Sequence, residues 1–465
     1  MRMTDVEALM WNLEKDPFLA SSIVNVTILD RYPDVATLRR RLERATQIVP
    51  RLRQRVVPSF GRLAPPEWHD DPDFDLDYHI RRIALPAPAD ERTLFDLATL
   101  AAAAPFDRTR PLWEFTIVEG LDGGRAAMIQ KLHHAITDGE GGVRMSVEFI
   151  DFSRDQGDAE PVPEEAVTAA ADPSPSNVFA AAAAAATHNV RRGIGASRRL
   201  SGDVLGLLRR PDRIPAIGAE AVATAQSLVR QLAITDPARS PIWHERSLRR
   251  RFEVLRISLD DTKLAAKGLG GSVNDLFVAG ACGAAGAYHR AKGIEVDDLR
   301  ITMPISHRAK GAAVGGNAFT PARVLLPCGT IDPTDRFTEI RARLGETKRE
   351  RALALAEGFA GVVNVLPTSM LVRITRNQVE TVDFATSNVR GAPFELFIAG
   401  ARIEANYPMG PTGGTAFNVT TLSSGGWLDM GVNIDLAAID DPELLRACLV
   451  ESYADLLEAG GAHPG

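Results

Sequence analysis

Between about residue 155 and residue 240 the chain loses the composition of a folded core, and this break limits the possible architectures more than any other feature of the sequence. Asp158–Ala171 is acidic and rich in Pro and Ala, and Asp172-Pro173-Ser174-Pro175-Ser176 follows it. A stretch so poor in large apolar side chains cannot offset its ordering entropy by burial, so it reads as a linker. An Ala-rich helical stretch comes next, then a segment dense in arginine: Arg191, Arg192, Arg198, Arg199, Arg209, Arg210 and Arg213. That segment reads either as a solvated helical crossover or as a surface that attracts anionic lipid headgroups. A chain of 465 residues exceeds one ordinary core. The expected organisation is an N-terminal half over 1–160, an Ala/Arg-rich helical crossover over 161–240 and a C-terminal half over 241–465.

Both flanking halves read as mixed α and β. Val6, Leu9, Met10 and Leu13 recur at helical spacing, Ile23–Leu29 is a β-branched run, and Ala36–Val49 is an amphipathic helix stopped before Pro50. Ala126–Leu132 is an apolar strand running into His133. In the second half, Phe252–Leu259, Ile301–Ile305 and Ala322–Leu326 read as strands. Val273–Tyr288 reads as a buried helix rich in Ala and Gly, Thr415–Ile434 as a hairpin around Ser423-Ser424-Gly425-Gly426, and Pro442–Leu457 as a closing helix. The formal net charge of −7 argues against general nucleic-acid binding. Cys282, Cys328 and Cys448 are odd in number and widely spaced, which predicts free thiols and a cytoplasmic setting. The longest apolar runs, Val178–Ala186 and Leu276–Tyr288, fall short of the ~20 residues that cross a bilayer, and no secretory signal is expected.

The most informative segment is His133-His134-Ala135-Ile136-Thr137-Asp138-Gly139. Imidazole can take a proton and return it near neutral pH, and an alcohol becomes a good nucleophile only as a base removes its proton. Adjacent side chains on an extended segment point opposite ways, so one histidine should face the reaction and the other should pack. Spacing alone does not choose between them. Asp138 could orient His134 or lock the turn, and Gly139 with Gly141-Gly142 allows a tight turn and close backbone approach. Two adjacent histidines do not readily share a metal, and no HExxH pattern or third ligand accompanies them, so no metal is expected.

Together with seven further blocks, this segment resembles the bacterial wax ester synthase/diacylglycerol acyltransferase family, within the HHxxxDG coenzyme A-dependent acyltransferases. Asp5–Glu14 resembles the family's opening helix, and Pro50–Val56 and Asp71–Arg81 its early motifs. Pro105–Glu114 carries Pro111-Leu112-Trp113, and Ser272–Ala279 carries Asn274-Asp275. Met303–Arg308 with Gly316-Asn317 is similar to another block, as is Thr386–Gly391 followed by Tyr407–Pro411. The resemblance covers nearly the whole chain.

It implies an α/β fold of two similar chloramphenicol-acetyltransferase-like halves, with mixed sheets and an active-site tunnel between them. It implies that acyl-CoA enters from one side as a substrate, with no resident cofactor, and a lipid alcohol from the other. His134 inherits the role of base, beside His133, Asp138 and Gly139, with Asp138 fixing the turn. Asn274, Ser387, Asn388 and Trp113 are candidate substrate or oxyanion contacts; Trp113 reads first as a core or interface aromatic, and helix capping at Asn274 and a turn at Ser387-Asn388 are the structural alternatives. Diacylglycerol is the first expected acceptor and a long-chain alcohol the second. A carrier-protein donor and a catalytically silent lipid-binding member are the remaining alternatives. A peripheral place at the inner membrane or at lipid droplets goes with a lipid acceptor. The chain departs from the family pattern at Val389-Arg390-Gly391-Ala392-Pro393, at Ser306-His307-Arg308, at Ser423-Ser424 and at Pro241–Glu245.

Overall fold

The computed structural model describes residues 1–59, 65–157, 237–306, 319–349 and 368–462. The arginine-dense segment and the block at His307-Arg308 and Gly316-Asn317 lie outside the described residues.

The first half opens with α1 (Asp5–Leu13), started by a capping box in which the Thr4 hydroxyl accepts from Glu7 N–H and the Glu7 carboxylate accepts from Thr4 N–H. Then come β1 (Ser22–Leu29), α2 (Val35–Ile48), the pair β2 (Gln54–Val57) and β3 (Glu67–Asp70), and the single turn α3 (Leu76–His79). Next are β4 (Ile80–Ala84), α4 (Glu91–Ala103), β5 (Trp113–Leu121), β6 (Arg125–His133) and α5 (Gly139–Ser146). The second half runs β7 (Arg250–Ser258), α6 (Leu259–Gly268), α7 (Val273–Ala291), β8 (Asp298–Ser306), β9 (Phe319–Pro327) and α8 (Pro333–Arg349). It continues through α9 (Thr368–Val379), β10 (Phe384–Arg390), β11 (Phe397–Ile398), β12 (Ala401–Met409), β13 (Phe417–Ser424), β14 (Trp427–Asp435) and α10 (Pro442–Ala459).

Two six-stranded mixed sheets result, ordered β11-β12-β1-β6-β5-β4 and β7-β14-β13-β10-β8-β9. The partition expected at residue 241 does not follow these sheets. β11 and β12 come from beyond it and complete the first sheet, with β12 antiparallel to β1 from Val24↔Met409 to Leu29↔Ile403. Burial explains the exchange. Ala405, Tyr407 and Met409 on β12 join Val24, Val26 and Ile28 of β1 under Leu94, Phe95 and Ala98 of α4, with Phe252 of β7 closing the cluster. Each large apolar chain so buried contributes about 1.5–3 kcal/mol. Gly431 makes the crossing possible, because a Cβ there would lie 2.0 Å from the Pro408 carbonyl oxygen of β12.

The small residues of α7 have a similar cause. A Cβ at Gly280 would fall 2.1 Å from Tyr453 of α10, whose hydroxyl donates to the Phe277 carbonyl at 2.9 Å. The helices therefore pack closely over the second sheet, where Cys282, Cys328 and Cys448 are buried free thiols.

Candidate active site

β6 delivers the histidines to the C-terminal edge of the first sheet. His133 N–H donates to Leu112 O at 3.0 Å and His134 N–H to Ser21 O at 2.9 Å. The chain then turns, with Ile136 N–H on His133 O at 2.9 Å. Asp138 caps α5, its Oδ1 accepting from Gly141 N–H at 2.7 Å.

The two rings have different surroundings. His133 is 1% exposed and packs edge-on against Trp11 and Phe106. Its Nδ1 accepts from Ala135 N–H at 2.9 Å, and a backbone N–H can only donate, so the ring proton sits on Nε2. That proton points to Glu14 Oε2, 3.0 Å away. The same oxygen accepts from Ser21 N–H at 2.8 Å, and Ser21 O holds His134 N–H. Burial opposes the charge on Glu14, but His133, the Ser21 N–H and Arg108 outweigh it and hold the carboxyl below its ordinary range. His134 is half-buried.

The facing wall comes from the second half. A Cβ on Gly139 would lie 2.8 Å from Val389 Cγ2, so the motif's glycine is where α5 meets β10. Ser387 lies two residues before Val389 and shares its face of the strand. Asn388 points to the opposite face and donates through Nδ2 to Asn274 Oδ1 at 3.2 Å. Asn274 is released from helix capping because Ser272 and Asp275 form the capping box of α7.

Residues 3–277 match the family model described as the wax ester synthase/diacylglycerol acyltransferase catalytic domain, and residues 315–457 match the WS/DGAT C-terminal domain. The chain belongs to this family. As a member it is an acyltransferase of the wax ester synthase/diacylglycerol acyltransferase type. A Mycobacterium tuberculosis protein provisionally named a diacylglycerol O-acyltransferase is 38% identical over 99% of this chain and 92% of its own length. The wax ester synthase/diacylglycerol acyltransferase of Marinobacter aquaeolei has the same fold, with a TM-score of 0.66 at 19% identity over 99% of this chain and all of the other. The first condensation domain of the CDA synthetase also shares it, with a TM-score of 0.59 at 16% identity over all of this chain and 98% of the other.

Set against the family motifs, the structure brings His134, Gly139, Ser387, Asn388 and Asn274 to the seam between the halves. Trp113, a candidate substrate contact that reads first as a core aromatic, is not there. It has no exposed surface, stacks on His79 at 4.5 Å, and donates its indole N–H to Leu52 O at 2.8 Å. The PLW block thus builds core. At the departures, Gly391 N–H donates to Ser423 Oγ at 3.2 Å, and a Cβ on Gly391 would lie 2.4 Å from Ser423 O. Sequence reasoning missed Glu14 and Ser21, which anchor the histidine turn, and named Val389 only as a departure, whereas it touches that turn at Gly139. No group of three or more His, Cys, Asp or Glu able to hold a metal occurs among the described residues, and no described helix is long and apolar enough to cross a membrane.

Proposed function

We propose that this family member transfers an acyl group from coenzyme A to diacylglycerol, giving triacylglycerol, with His134 as general base. The observation that carries the reading is the division of labour in the histidine pair. Both ring nitrogens of His133 are committed within its own half, whereas His134 stands half-buried where the halves meet. In this reaction His134 takes the proton of the acceptor hydroxyl while its oxygen attacks the thioester carbonyl. The tetrahedral oxyanion draws on donors at Asn274, Ser387 or Asn388. One such donor is worth about 3–4 kcal/mol in comparable sites. Collapse breaks the C–S bond, and protonated His134 returns its proton to the departing thiolate. Acyl-CoA is consumed as a substrate and no resident cofactor takes part.

Two likenesses support the substrates. A starter condensation domain of rhizomide synthetase, solved in complex with C8-CoA, shares the fold with a TM-score of 0.58. The name of the Mycobacterium tuberculosis relative supports diacylglycerol as acceptor. A bilayer-resident acceptor places the enzyme at a membrane or droplet surface, reached peripherally.

The test supplies purified protein with a long-chain acyl-CoA and either diacylglycerol or hexadecanol, following free thiol and the lipid product. Triacylglycerol formed in step with thiol is the expected result. Wax ester alone would overturn the acceptor, and no thiol release with either alcohol would overturn the donor and the reaction.

A further inference from the structure

The sheet face that meets the histidine turn carries a cation without a counterion. Ser387 and Val389 point to this face of β10, and so does Ala385. Ala385 stands beside Thr302 of β8, and Thr302 beside Arg323 of β9. Partners in register share a face, so Arg323 lies on the face that turns toward His134. α9 borders it from the seam. Leu371, Val372 and Val379 of α9 pack with Leu13 and Leu19 of the first half, and Gln378 of α9 accepts from Arg323 Nη1 at 2.5 Å. A guanidinium can only donate, so the amide oxygen is the atom that faces it.

Arg323 is half-buried, and Gln378 is the one partner of its side chain among the described residues. Burial first, and the charge of Arg300 second, press its pKa down. Arg51, Arg108, Arg246 and Arg336 are desolvated too, but each feels a carboxylate: Glu7, Glu14, Asp435 and Asp455 in turn. Among the described residues Arg323 feels only another cation. Arg300 cannot share its load, being held on the carbonyls of Pro237 and Thr381. A desolvated cation is costly unless an anion offsets it. The described fold supplies no such anion at Arg323, and a ligand can. The N–H groups of the guanidinium that do not reach Gln378 form a fork suited to phosphate.

We propose that Arg323 receives a phosphate of the coenzyme A moiety and so helps to seat the donor in the cleft. The proposal rests on the reading that the chain uses acyl-CoA. In that reaction diacylglycerol is uncharged, and the donor brings a diphosphate and a 3′-phosphate. The reach agrees. Two strand spacings separate Ala385 from Arg323, about 10 Å, and Ser387 lies about 7 Å further along β10. The pantetheine arm between thioester and diphosphate is roughly 15 Å long, the span of four to five extended residues. A thioester held near Ser387 therefore leaves its first phosphate within range of the guanidinium.

Equilibrium binding without an acceptor decides the matter. Hexadecanoyl-CoA is compared with hexadecanoyl-pantetheine, which has the same thioester and no phosphate, on the wild type, Arg323→Gln and Arg323→Lys. Arg323→Gln should bind the CoA ester about 10- to 100-fold more weakly, the span of a hydrogen bond to a charged group. It should bind the pantetheine ester as the wild type does. Its unfolding midpoint without ligand should not fall, because the substitution removes a desolvated charge. Arg323→Lys keeps the charge without the fork and should show a smaller loss, again confined to the CoA ester. This variant carries the test if the glutamine variant does not fold. A folded Arg323→Gln protein that binds the CoA ester within twofold of the wild type, or that loses both esters alike, would overturn the proposal. In that case binding of the CoA ester by the wild type leaves the donor reading standing and sinks the Arg323 site alone. A wild type that binds no CoA ester removes the donor reading and the site with it.

Discussion

The histidine turn draws its hydrogen bonds from its own half: Leu112 before β5, Ser21 before β1, and Glu14 after α1. The facing strand β10 meets that turn through Val389 against Gly139, and its Asn388 bonds sideways to Asn274 of α7. The backbone that carries His134, the proposed base, is therefore placed by interactions that do not depend on how the halves are set. The groups expected to steady the oxyanion and seat the acceptor move with the second half. Of the departures of this chain, the one at Val389–Pro393 touches the turn, through Val389 against Gly139.

The largest expected effect breaks the self-contained wall. Glu14→Ala removes the acceptor for two donors, His133 Nε2–H and Ser21 N–H. Leaving both buried costs about 2–5 kcal/mol of stability, measured by denaturant unfolding, and activity should fall at least ~10-fold as His134 loses its anchored backbone. Glu14→Gln keeps an acceptor oxygen and should recover most of both.

The second effect separates the seam from the turn by pH. Burial, only partly offset by Arg256 and the Asn406 N–H, pushes the Asp429 carboxyl up from 3.8 to about 6. The native state then holds this proton more tightly than the unfolded chain. The contribution of Asp429 is greatest at low pH and is lost as pH rises from about 4 through 6, on the order of 3 kcal/mol. Glu14, held low, acts in the opposite sense, and its contribution is lost as pH falls through its depressed value. Asp429→Asn should therefore gain stability relative to the wild type between about pH 4 and 6.5, read as the difference in Tm across that range. A difference that is flat with pH would contradict it.

A third test touches the contact between the walls. Gly139→Ala places a methyl against Val389 Cγ2 and should cost about 1–3 kcal/mol or an equivalent loss of rate. Val389→Ala should restore it, and a double-mutant cycle shows whether the two sites couple. The smallest effect concerns one of the polar bridges between the halves, where Arg376 makes a two-pronged pair with Asp16 at 2.5 and 2.7 Å. The Arg376 side chain is 42% exposed, so solvent screening limits the pair to about 0.5–1 kcal/mol, to be seen as coupling between Arg376→Ala and Asp16→Ala.

Local periodicity accounts for what could be read in advance. α1, β1, α2, β6 and the β13–β14 hairpin each carry their own apolar spacing, and they form where that spacing puts them. β12 carries a strand's own signal, since Ala401, Ile403, Ala405, Tyr407 and Met409 alternate with Arg402, Glu404 and Asn406, but nothing local says that its partner is β1, far back in the chain. Glu14 was illegible for the same reason. Its partner His133 lies 119 residues away, and a carboxylate just past a helix looks like any solvated end. The histidine segment was legible as chemistry, but its spacing could not say which ring packs. That answer needed Ala135 N–H and Glu14 on the two nitrogens of His133. Trp113 allowed two readings, a core aromatic first and a substrate contact second, and its surroundings decide for core.

The measurement that bears most directly on the account is thiol release from acyl-CoA by the wild type, His134→Ala and His133→Asn, each checked for unfolding midpoint. The account predicts a fall of ~10²–10⁴-fold in His134→Ala with the midpoint near that of the wild type, and in His133→Asn a lowered midpoint with any loss of rate following it. A folded His134→Ala enzyme within tenfold of the wild type, or a well-folded His133→Asn enzyme that alone is inactive, would contradict it.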